Sequence, residues 1–478
     1  MSRTRALAAA GAGALAAAAV APATASAHGL VGKQDLPIPR VLFAWAAAIV
    51  LVVSFIALGA LWKRARWEGG VEERELLRFP RWLEVPCGVL GVALFALAVY
   101  AGLDGTTEAT SNLLPNLIYV LFWVGFPFAS ALFGDIFRPF NPWLAIGRAT
   151  GWLVRKVGGD AVPEPLPYPE RLGRWPAVAG IVGFAWLELV YVDKDNTVTL
   201  AYLSLGYCAV QLVAMSIWGA DRWSRRGDSF GVYFNLIARL SPLHWRDGRL
   251  YWRVPLAGVT GLNAVPGTVA LVCVLIGSTS FDGFSQGQIW NGTNGGAGLA
   301  GHLQDFFTSL GLSLQSALEA AFTVGLLAMI GLIAGLYRLG VNGMSDIGEK
   351  YPASDLARRF VHSLVPIALA YVVAHYFSLL VYQGQATAYL ISDPLGNGHD
   401  YFGTANVGID YSVISATQVW YVQVVALVAG HVSGLILAHD RAIAVYSNPK
   451  AATRSQYWML TVMVAFTCLG LYLLSESA

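Results

Sequence analysis

Charged residues are scarce in this sequence, and their scarcity excludes a mainly soluble protein. Asp, Glu, Lys and Arg together make up 13% of the 478 residues, about half of their usual share in soluble domains. Hydrophobic residues make up 56%, and no stretch between the apolar segments is long enough to bury a core of its own. The composition therefore predicts one membrane domain.

Cysteine is also rare. The four residues, Cys87, Cys208, Cys273 and Cys468, all fall inside apolar segments, and none belongs to a CxxC pair. We expect neither a disulfide nor a thiolate metal site.

Several catalytic and binding motifs are missing. The sequence has no Walker loop, Rossmann glycine set or HExxH helix, and membrane topology explains its arginine clusters, so we expect no nucleotide and no nucleic acid as partners. Residues 227–231 match G-x-S-x-G, but an arginine-rich loop precedes them where a nucleophile elbow requires a strand. We assign no catalytic role to Ser229.

The first 27 residues have the features of an export signal. Arg3 and Arg5 precede an alanine-rich run, and Ala25-Ser26-Ala27 supplies the small residues that a signal peptidase accepts. Cleavage before His28 would leave residues 28–478 as a single transmembrane domain. An uncleaved signal that forms an eleventh span is the alternative.

Ten apolar runs follow, each long enough to cross a hydrocarbon core of roughly 30 Å as a helix. The predicted spans are 41–62, 83–103, 113–134, 175–192, 198–219, 255–277, 318–338, 360–382, 416–438 and 457–474. The predicted fold class is all-α, a polytopic transmembrane helical bundle.

Basic residues are segregated by side. If the spans cross alternately, 26 of the 31 Lys and Arg residues lie on one side, and only Lys33, Arg40 and Lys194 lie on the other, apart from two in the signal. Cytoplasmic loops retain Lys and Arg in this biased way. The sequence predicts a multi-pass protein of the bacterial plasma membrane, with both mature termini outside and the lipid bilayer as a partner.

Two cytoplasmic connections share a short pattern. Phe140-Asn141 and Phe234-Asn235 are each followed by an Ile and an Arg. A duplicated pair of spans would leave this pattern, and a coincidence between two short matches is the alternative. By contrast, the exported loops 278–304 and 383–415 contain no Lys or Arg and are rich in Gly, Asn and Asp. We interpret them as lids or walls of an outward-facing site.

Ionisable residues in a membrane interior cost about 2.5 to 3.5 kcal/mol each on insertion scales, so each needs an explanation. Glu188 and His375 fall in the outer halves of their spans, and Asp282 is predicted close to the same surface. These three are the predicted catalytic residues, because one outward-facing cavity holding carboxylates and an imidazole could activate a water. The alternative is that they only bond neighbouring helices.

A second set of residues would carry protons or cations. It consists of His431 in the ninth span, His439 at the cytoplasmic end of that span and Glu319 at the outer end of the seventh. Gly430 and Gly434 favour a structural role for His431, because a small-xxx-small pattern brings helices together and the imidazole can bond across them. Solvation at the membrane surface is the alternative for the other two.

A divalent metal is the one cofactor that the sequence suggests. Cleavage before His28 would expose an amino group and an imidazole that together chelate Cu(II), and His302 and His399 lie in exported segments that could add ligands. In the alternative interpretation, the amino-terminal His is incidental.

One resemblance is carried by His-Gly-Leu-Val-Gly at 28–32, Asp-Leu-Pro-Ile-Pro at 35–39, and residues 137–143, 280–284, 362–385, 430–431 and 438–442. These stretches resemble bacterial integral membrane proteins known as fenitrothion hydrolases, and the resemblance spans most of the mature chain. The resemblance implies cleavage of an organophosphorus ester and carries over no catalytic motif. Such hydrolysis requires a water activated by a metal or a general base, a role that His375, Glu188 and Asp282 could fill.

Two other functions stay open. Ten spans, buried His and Glu residues, and helices interrupted by Pro86, Pro127, Pro266 and Pro366 favour a transporter that couples a small-molecule substrate to protons or cations. A non-catalytic membrane assembly subunit is the third possibility, in which every polar residue is structural.

Overall fold

The computed structural model describes residues 40–68, 70–293, 296–345, 347, 351–446 and 448–476. The predicted signal and His28 lie outside these residues. The principal helices are α1 (Arg40–Leu61), α2 (Glu84–Asp104), α3 (Leu113–Phe133), α4 (Pro142–Gly158), α5 (Trp175–Leu189), α6 (Thr197–Trp218), α7 (Ala220–Arg226), α8 (Ser229–Ala238), α9 (Thr268–Ser285), α10 (Leu299–Ser309), α11 (Leu314–Ser345), α12 (Ala353–Phe360), α13 (Val365–Gln383), α14 (Thr387–Ser392), α15 (Ala416–Val445) and α16 (Pro449–Glu476).

Shorter elements connect these helices. Single helical turns lie at Phe137–Phe140, Ala257–Thr260 and Gln288–Asn291, and 3-10 turns lie at Arg81–Leu83, Ala109–Ser111, Gly159–Ala161, Val361–Leu364 and Gly384–Ala386. The strands are β1 (Arg74–Arg78), β2 (Leu243–Arg246), β3 (Arg249–Trp252), β4 (Gly292–Thr293) and β5 (Gly296–Ala297).

Within the described residues, seven helical segments are long and apolar enough to cross a membrane. They are α2, α3, α6, α9, α11, the continuous stretch Ala353–Ser392 and α15. Two shorter apolar helices, Trp45–Leu61 and Trp175–Leu189, coincide with the first and fourth predicted spans. The prediction of a mainly helical, multi-pass membrane protein is confirmed, and its apolar helices provide the contact with the lipid bilayer.

The sixth span differs from its prediction. α9 begins at Thr268, thirteen residues after the predicted start at Pro255, and it continues to Ser285. Pro266 and Gly267 end the irregular segment before it, and Gly267 has a φ of +83°, a conformation that glycine adopts without strain. The shift places Asp282 inside a membrane helix, whereas the sequence suggested an exported loop.

α3 has an unusual centre. Residues Asn116–Gly125 form a π-helix, in which the turns are wider than in an α-helix. Pro127 contributes to this geometry because it has no N–H to donate to the Trp123 carbonyl four residues earlier. The Tyr119 and Trp123 rings lie against Phe184 of α5, with ring centroids 6.2 and 4.7 Å apart.

The loop after α1 is fastened to the carboxyl-terminal end of α15. Asp440, fully buried, accepts hydrogen bonds from Trp62 Nε1 (2.8 Å), Arg66 N (2.7 Å) and Trp67 N (3.1 Å). His439 Nε2 lies 3.2 Å from the Trp62 carbonyl oxygen. We call residues 62–68 and 439–441 the inner clamp.

The two Phe-Asn segments bond each other reciprocally. Asn141 Nδ2 donates to Asp228 Oδ2 (2.7 Å), immediately before α8, and Asn235 Nδ2 in α8 donates to Asp135 Oδ2 (2.8 Å), shortly after α3. Each segment thus provides the Asn that pairs with the other segment's Asp. A duplicated unit packed against its copy would show this reciprocity, and the duplication itself stays a prediction.

A small antiparallel sheet, with β3 between β1 and β2, adjoins the end of α3. Side chains alternate along β3, so that Leu250 and Trp252 share one face and Arg249 and Tyr251 share the other. Trp245 Nε1 donates to the Phe133 carbonyl oxygen (2.9 Å). This bond ties the sheet to the membrane helices.

Gly91→Ala is expected to lower stability by about 1–3 kcal/mol, the usual range for overpacking. Gly91 lies in α2 against the turn Phe137–Phe140, and a Cβ there would overlap the Phe140 carbonyl oxygen. Thermal unfolding of the purified protein in detergent measures the effect. Gly183→Ala in α5 is the control, since a Cβ there meets nothing within 4 Å, and equal unfolding temperatures for the two variants would contradict the close approach.

Candidate functional site

Three polar side chains meet between α9 and α13. Asp282 Oδ2 accepts a hydrogen bond from the Tyr376 hydroxyl (2.8 Å) and lies 2.9 Å from His375 Nε2. The side chains of Asp282 and His375 are 2% and 9% exposed. The structure therefore brings together two of the three predicted catalytic residues in a nearly dry environment.

Glu188 of α5 approaches the same place. Its side chain is buried, with 6% of the residue exposed, and its charge interacts with that of Asp282. Trp123 of α3 lies beside both Glu188 and Tyr376. We call Asp282, His375, Tyr376 and Glu188 the acid–histidine cluster.

Four helices build this cluster, each providing one wall. α9 packs against both α5 and α13, and the π-helical part of α3 packs against α13. Glu188 lies 13 residues after the start of α5 and Asp282 lies 14 residues after the start of α9, which is about 20 Å along either helix. The late start of α9 therefore sets the two carboxylates at the same level.

The contact between Trp123 and Glu188 is poorly aligned. Trp123 lies near enough to Glu188 to interact with its carboxylate, but within the described part of the chain neither Trp123 Nε1 nor Glu188 Oε2 meets the geometry of a hydrogen bond. Trp123 thus belongs to the wall of the cluster that faces Glu188.

The cluster gathers ionisable groups in a buried site. Asp282 and Glu188 are carboxylic acids, and His375 carries an imidazole, which can donate or accept a proton at its ring nitrogens. Unpaired charge is strongly disfavoured in a buried site. The chemistry of these three side chains suits proton exchange.

Lys194 brings positive charge to the carboxyl-terminal end of α5. Its Nζ donates to the Glu188 carbonyl oxygen (2.9 Å), and Tyr119 donates through its hydroxyl to the Lys194 carbonyl oxygen (2.8 Å). Lys194 is one of the few basic residues predicted on the outer side. Its position beside Glu188 explains why a cation occurs there.

Glu319 lies outside the cluster. Its Oε1 accepts a hydrogen bond from the Val192 backbone N–H (3.2 Å) just beyond the end of α5. One turn further along α11, Thr323 Oγ1 accepts a hydrogen bond from Trp186 Nε1 (2.9 Å). Glu319 thus joins the carboxyl-terminal end of α5 to the amino-terminal part of α11.

His431 of α15 packs beside α13. Its Nδ1 is 2.8 Å from the Leu427 carbonyl oxygen, which makes Nδ1 the donor, and within the described residues its buried Nε2 has no hydrogen-bond partner. The His431 ring centroid is 6.1 Å from that of Tyr371, which precedes His375 by one helical turn. His431 and His375 therefore flank one tyrosine.

Close helix packing surrounds His431, as the glycine spacing predicts. A Cβ at Gly430 would overlap the side chain of Ala370, and a Cβ at Gly434 would lie 2.6 Å from the Ser363 carbonyl oxygen. The small-xxx-small contact between α15 and α13 is therefore present. The unpaired Nε2 is not explained by that packing alone.

His439 belongs to the inner clamp. Besides the contact with Trp62, its Nδ1 lies 3.2 Å from Gln456 Nε2, which can donate to it. Both ring nitrogens therefore have partners, and His439 is two helical turns, about 12 Å, from His431. Its role in an ion path stays a prediction, with a structural role as the better-supported alternative.

The predicted metal ligands are not assembled among the described residues. His302 is exposed on α10, and His399 is exposed in the loop after α14, where its ring faces Tyr401. No group of three or more His, Cys, Asp or Glu side chains suited to a metal occurs in the described ranges, and His28 lies outside them. The acid–histidine cluster is thus the better-defined site.

Sequence reasoning missed Tyr376 and Trp123. Tyr371 and Tyr382 share a helical face with His375, whereas Tyr376 is adjacent in sequence and is turned about 100° from it. Tyr376 nevertheless reaches Asp282 because α9 packs beside α13. Trp123 could have been suspected only from Pro127, which signals an irregular helix just before it.

A cavity of about 420 Å³ lies at the carboxyl-terminal end of α13. Tyr382, Tyr411 and Ser415 are among its lining residues. Tyr382 follows His375 by seven residues, which places it on the same helical face about 10 Å further along α13. Another cavity, of about 320 Å³, adjoins the small sheet, and the acid–histidine cluster lines neither of them.

Comparison with known proteins does not add to this description. No family model, no curated protein and no solved structure matches the chain.

Proposed function

We propose that this protein is a transporter of the bacterial plasma membrane that couples the movement of a small solute to protons on the acid–histidine cluster. The observation that carries the proposal is the 2.9 Å contact between Asp282 Oδ2 and His375 Nε2, with both side chains nearly inaccessible to solvent. Buried ionisable residues in membrane helices are a common feature of proton relays.

The proposal includes ten spans, cleavage before His28 and both mature termini outside. Contacts between helix ends support alternate crossing. On the outer side, Asn116 at the start of α3 donates to the carbonyl oxygen of Gln383 at the end of α13, and the residue Val192 after α5 bonds Glu319 of α11. Consecutive crossings would place each of these ends outside.

The inner ends behave in the same way. Phe133 at the end of α3 bonds Trp245, and Trp62 after α1 bonds Asp440 near the end of α15. Both contacts lie in segments that the basic-residue bias assigns to the cytoplasm. In this proposal the shorter helices α1 and α5 cross the membrane in alternating directions together with the longer helices.

The surroundings of the cluster fit a transporter better than an enzyme. The outer cavity at Tyr382 lies on the His375 face of α13, and His431 adjoins Tyr371 one turn inward. The cluster itself is closed and lined by side chains, so it suits a proton more readily than an ester substrate in this conformation. Opening toward the cavity at Tyr382 would admit a solute from outside.

His375→Gln tests the proposal. The purified protein is placed in proteoliposomes that contain a pH-sensitive dye, and a panel of small organic solutes that includes a phosphotriester is added outside. We expect at least one solute to change the internal pH through the wild-type protein. The variant should reduce the initial rate by at least about 100-fold, because a positioned proton-transfer group typically contributes this much.

Asp305→Asn is the control for this experiment, since Asp305 is an exposed carboxylate on α10. A solute-driven pH change that persists in His375→Gln would overturn the proposed role of the cluster. A variant that loses its thermal unfolding transition has lost its fold, and its flux then says nothing about proton transfer.

An organophosphorus ester hydrolase is the second candidate. The pairing of His375 with Asp282 favours it, because a buried carboxylate orients the imidazole of a general base in many hydrolases. Release of the leaving group from a phosphotriester without a pH change inside the vesicles, and its loss in His375→Gln, would select this function. A non-catalytic assembly subunit would show neither hydrolysis nor flux.

A further inference from the structure

The cavity of about 320 Å³ beside the small sheet has a different chemistry from the acid–histidine cluster. Its lining includes Arg239 at the end of α8, Arg253 after β3, and Glu73, Asp135 and His244. All of these residues lie in segments that the proposed topology places at the cytoplasmic surface. The cavity is thus a polar site at the inner face.

Arg253 is held rigidly at this cavity. Only 6% of the residue is exposed, and its guanidinium donates to the carbonyl oxygens of Ser241 (3.1 Å), Ala238 (3.3 Å) and Arg239 (3.2 Å). A Cβ at Gly258 would overlap the guanidinium, so the absence of a side chain there lets Arg253 take this position. Carbonyl oxygens fix the group without neutralising its charge.

Arg239 is the second cation. Its Nη1 donates to the Gly261 carbonyl oxygen (3.3 Å), and its buried Nε has no hydrogen-bond partner within the described residues. The Arg239 and Arg253 guanidinium groups are near enough to repel each other. Two cations and an unpaired N–H therefore adjoin one cavity.

The nearby carboxylates compensate these charges only in part. Glu73 lies 2.8 Å from His244 Nδ1 and 3.1 Å from Arg246 Nη1, but 3.9 Å from Arg253 Nη1. Asp135 bonds Asn235 and its charge attracts both Arg138 and Arg239, while burial raises its pKa. Burial lowers the pKa of Arg253 only to about 10, so that it stays charged at neutral pH.

We propose that this cavity binds a phosphate-bearing anion between the guanidinium groups of Arg239 and Arg253. Arginine suits such a ligand because its planar N–H fork matches phosphate oxygens. An anion there would accept hydrogen bonds from the guanidinium groups and remove the repulsion between the two cations. The phosphate belongs either to an anionic lipid of the inner leaflet or to a soluble molecule.

The experiment uses the purified full chain in phosphatidylcholine nanodiscs. Titration calorimetry with inorganic phosphate tests for a soluble ligand, and the thermal unfolding temperature with and without phosphatidylglycerol in the nanodisc tests for a lipid ligand. Saturable phosphate binding supports a soluble anion. Stabilisation by phosphatidylglycerol supports a lipid headgroup.

If the wild type binds inorganic phosphate, Arg239→Gln should weaken that affinity by about 10- to 100-fold, the usual consequence of losing one charged hydrogen-bond donor. If phosphatidylglycerol raises the unfolding temperature of the wild type, the increase should be smaller in Arg239→Gln. Arg253→Gln should act in the same direction. Arg253 also donates to three carbonyl oxygens, so its removal can prevent folding. In that case Arg239→Gln alone tests whether the two guanidinium groups bind the anion.

Arg249→Gln is the matched control, because Arg249 lies on the same sheet but bonds Glu75 and does not line the cavity. It should bind like the wild type. Equal weakening by Arg249→Gln and Arg239→Gln would show a general charge effect and overturn the assigned site. The absence of both phosphate binding and phosphatidylglycerol stabilisation in the wild type would also overturn it.

Discussion

Asp282→Asn is expected to reduce solute-driven proton movement in proteoliposomes by at least about 100-fold while leaving the protein folded. Asp282 Oδ2 is the point at which Tyr376 and His375 meet. Asparagine has nearly the same shape and keeps an acceptor for the Tyr376 hydroxyl, but it cannot change its charge. The substitution therefore separates proton exchange from helix packing.

The neighbouring carboxylate gives this prediction a second part. Glu188→Gln removes the second carboxylate of the cluster. The wild-type cluster needs two protons to become neutral, whereas the variant needs only one, on His375 or Asp282. We expect Glu188→Gln to retain a folded protein and to show a shifted pH dependence of flux. The double variant should behave like Asp282→Asn alone.

Asp305→Asn again controls for the loss of a carboxylate, this time with the same change of residue type. Unfolding temperatures measured for all variants in detergent establish that they are folded. Wild-type flux in Asp282→Asn would refute the assignment of proton exchange to this cluster, whatever the effect of Glu188→Gln.

Asp440→Ala is expected to destabilise the protein by about 3–5 kcal/mol, the range for breaking a buried charged group away from its partners. The inner clamp depends on this carboxylate, which accepts three hydrogen bonds from Trp62, Arg66 and Trp67. Its removal leaves three donors unpaired in the loop after α1. The unfolding temperature measured in detergent should fall by several degrees.

Asp440→Asn should have a smaller effect. Asp440 Oδ1 accepts two of the three bonds and Oδ2 accepts one, so an asparagine can keep the two bonds at Oδ1 and lose only the Trp67 bond. We expect a loss of about 1–3 kcal/mol.

Asp355→Ala is the matched control, because Asp355 is a partly exposed carboxylate in the first turn of α12 that pairs with Arg359 (2.8 Å). Such a pair contributes about 1 kcal/mol or less. If Asp440→Ala and Asp355→Ala unfold at the same temperature, the inner clamp does not stabilise the protein.

Much of the fold follows from local sequence. The apolar runs at 83–103, 113–134 and 198–219 correspond to α2, α3 and α6 within one or two residues at each end, because the length of a membrane helix follows from bilayer thickness. The start of α9 was harder to predict. The segment before Thr268 is apolar enough for a span, and the backbone at Pro266 and Gly267 decides where the helix begins.

The candidate site, like the fold, could be predicted from the sequence only in part. Glu188 and His375 stand out in the sequence because ionisable residues are costly inside apolar spans. Asp282 was placed at about the right level for a different reason, as part of a loop. Tyr376 and Trp123 were missed, since no spacing along one helix indicates a contact between two helices.

The sequence by itself determined that this chain is a helical membrane protein, because hydropathy and helix length act locally along the chain. It also singled out the ionisable residues that a bilayer disfavours. Only the tertiary structure decided which of them meet, since helix packing brings Asp282 and His375 to 2.9 Å while Glu319 and His439 bond elsewhere. Contacts between distant helices depend on the side chains of both partners, and neither helix alone specifies them.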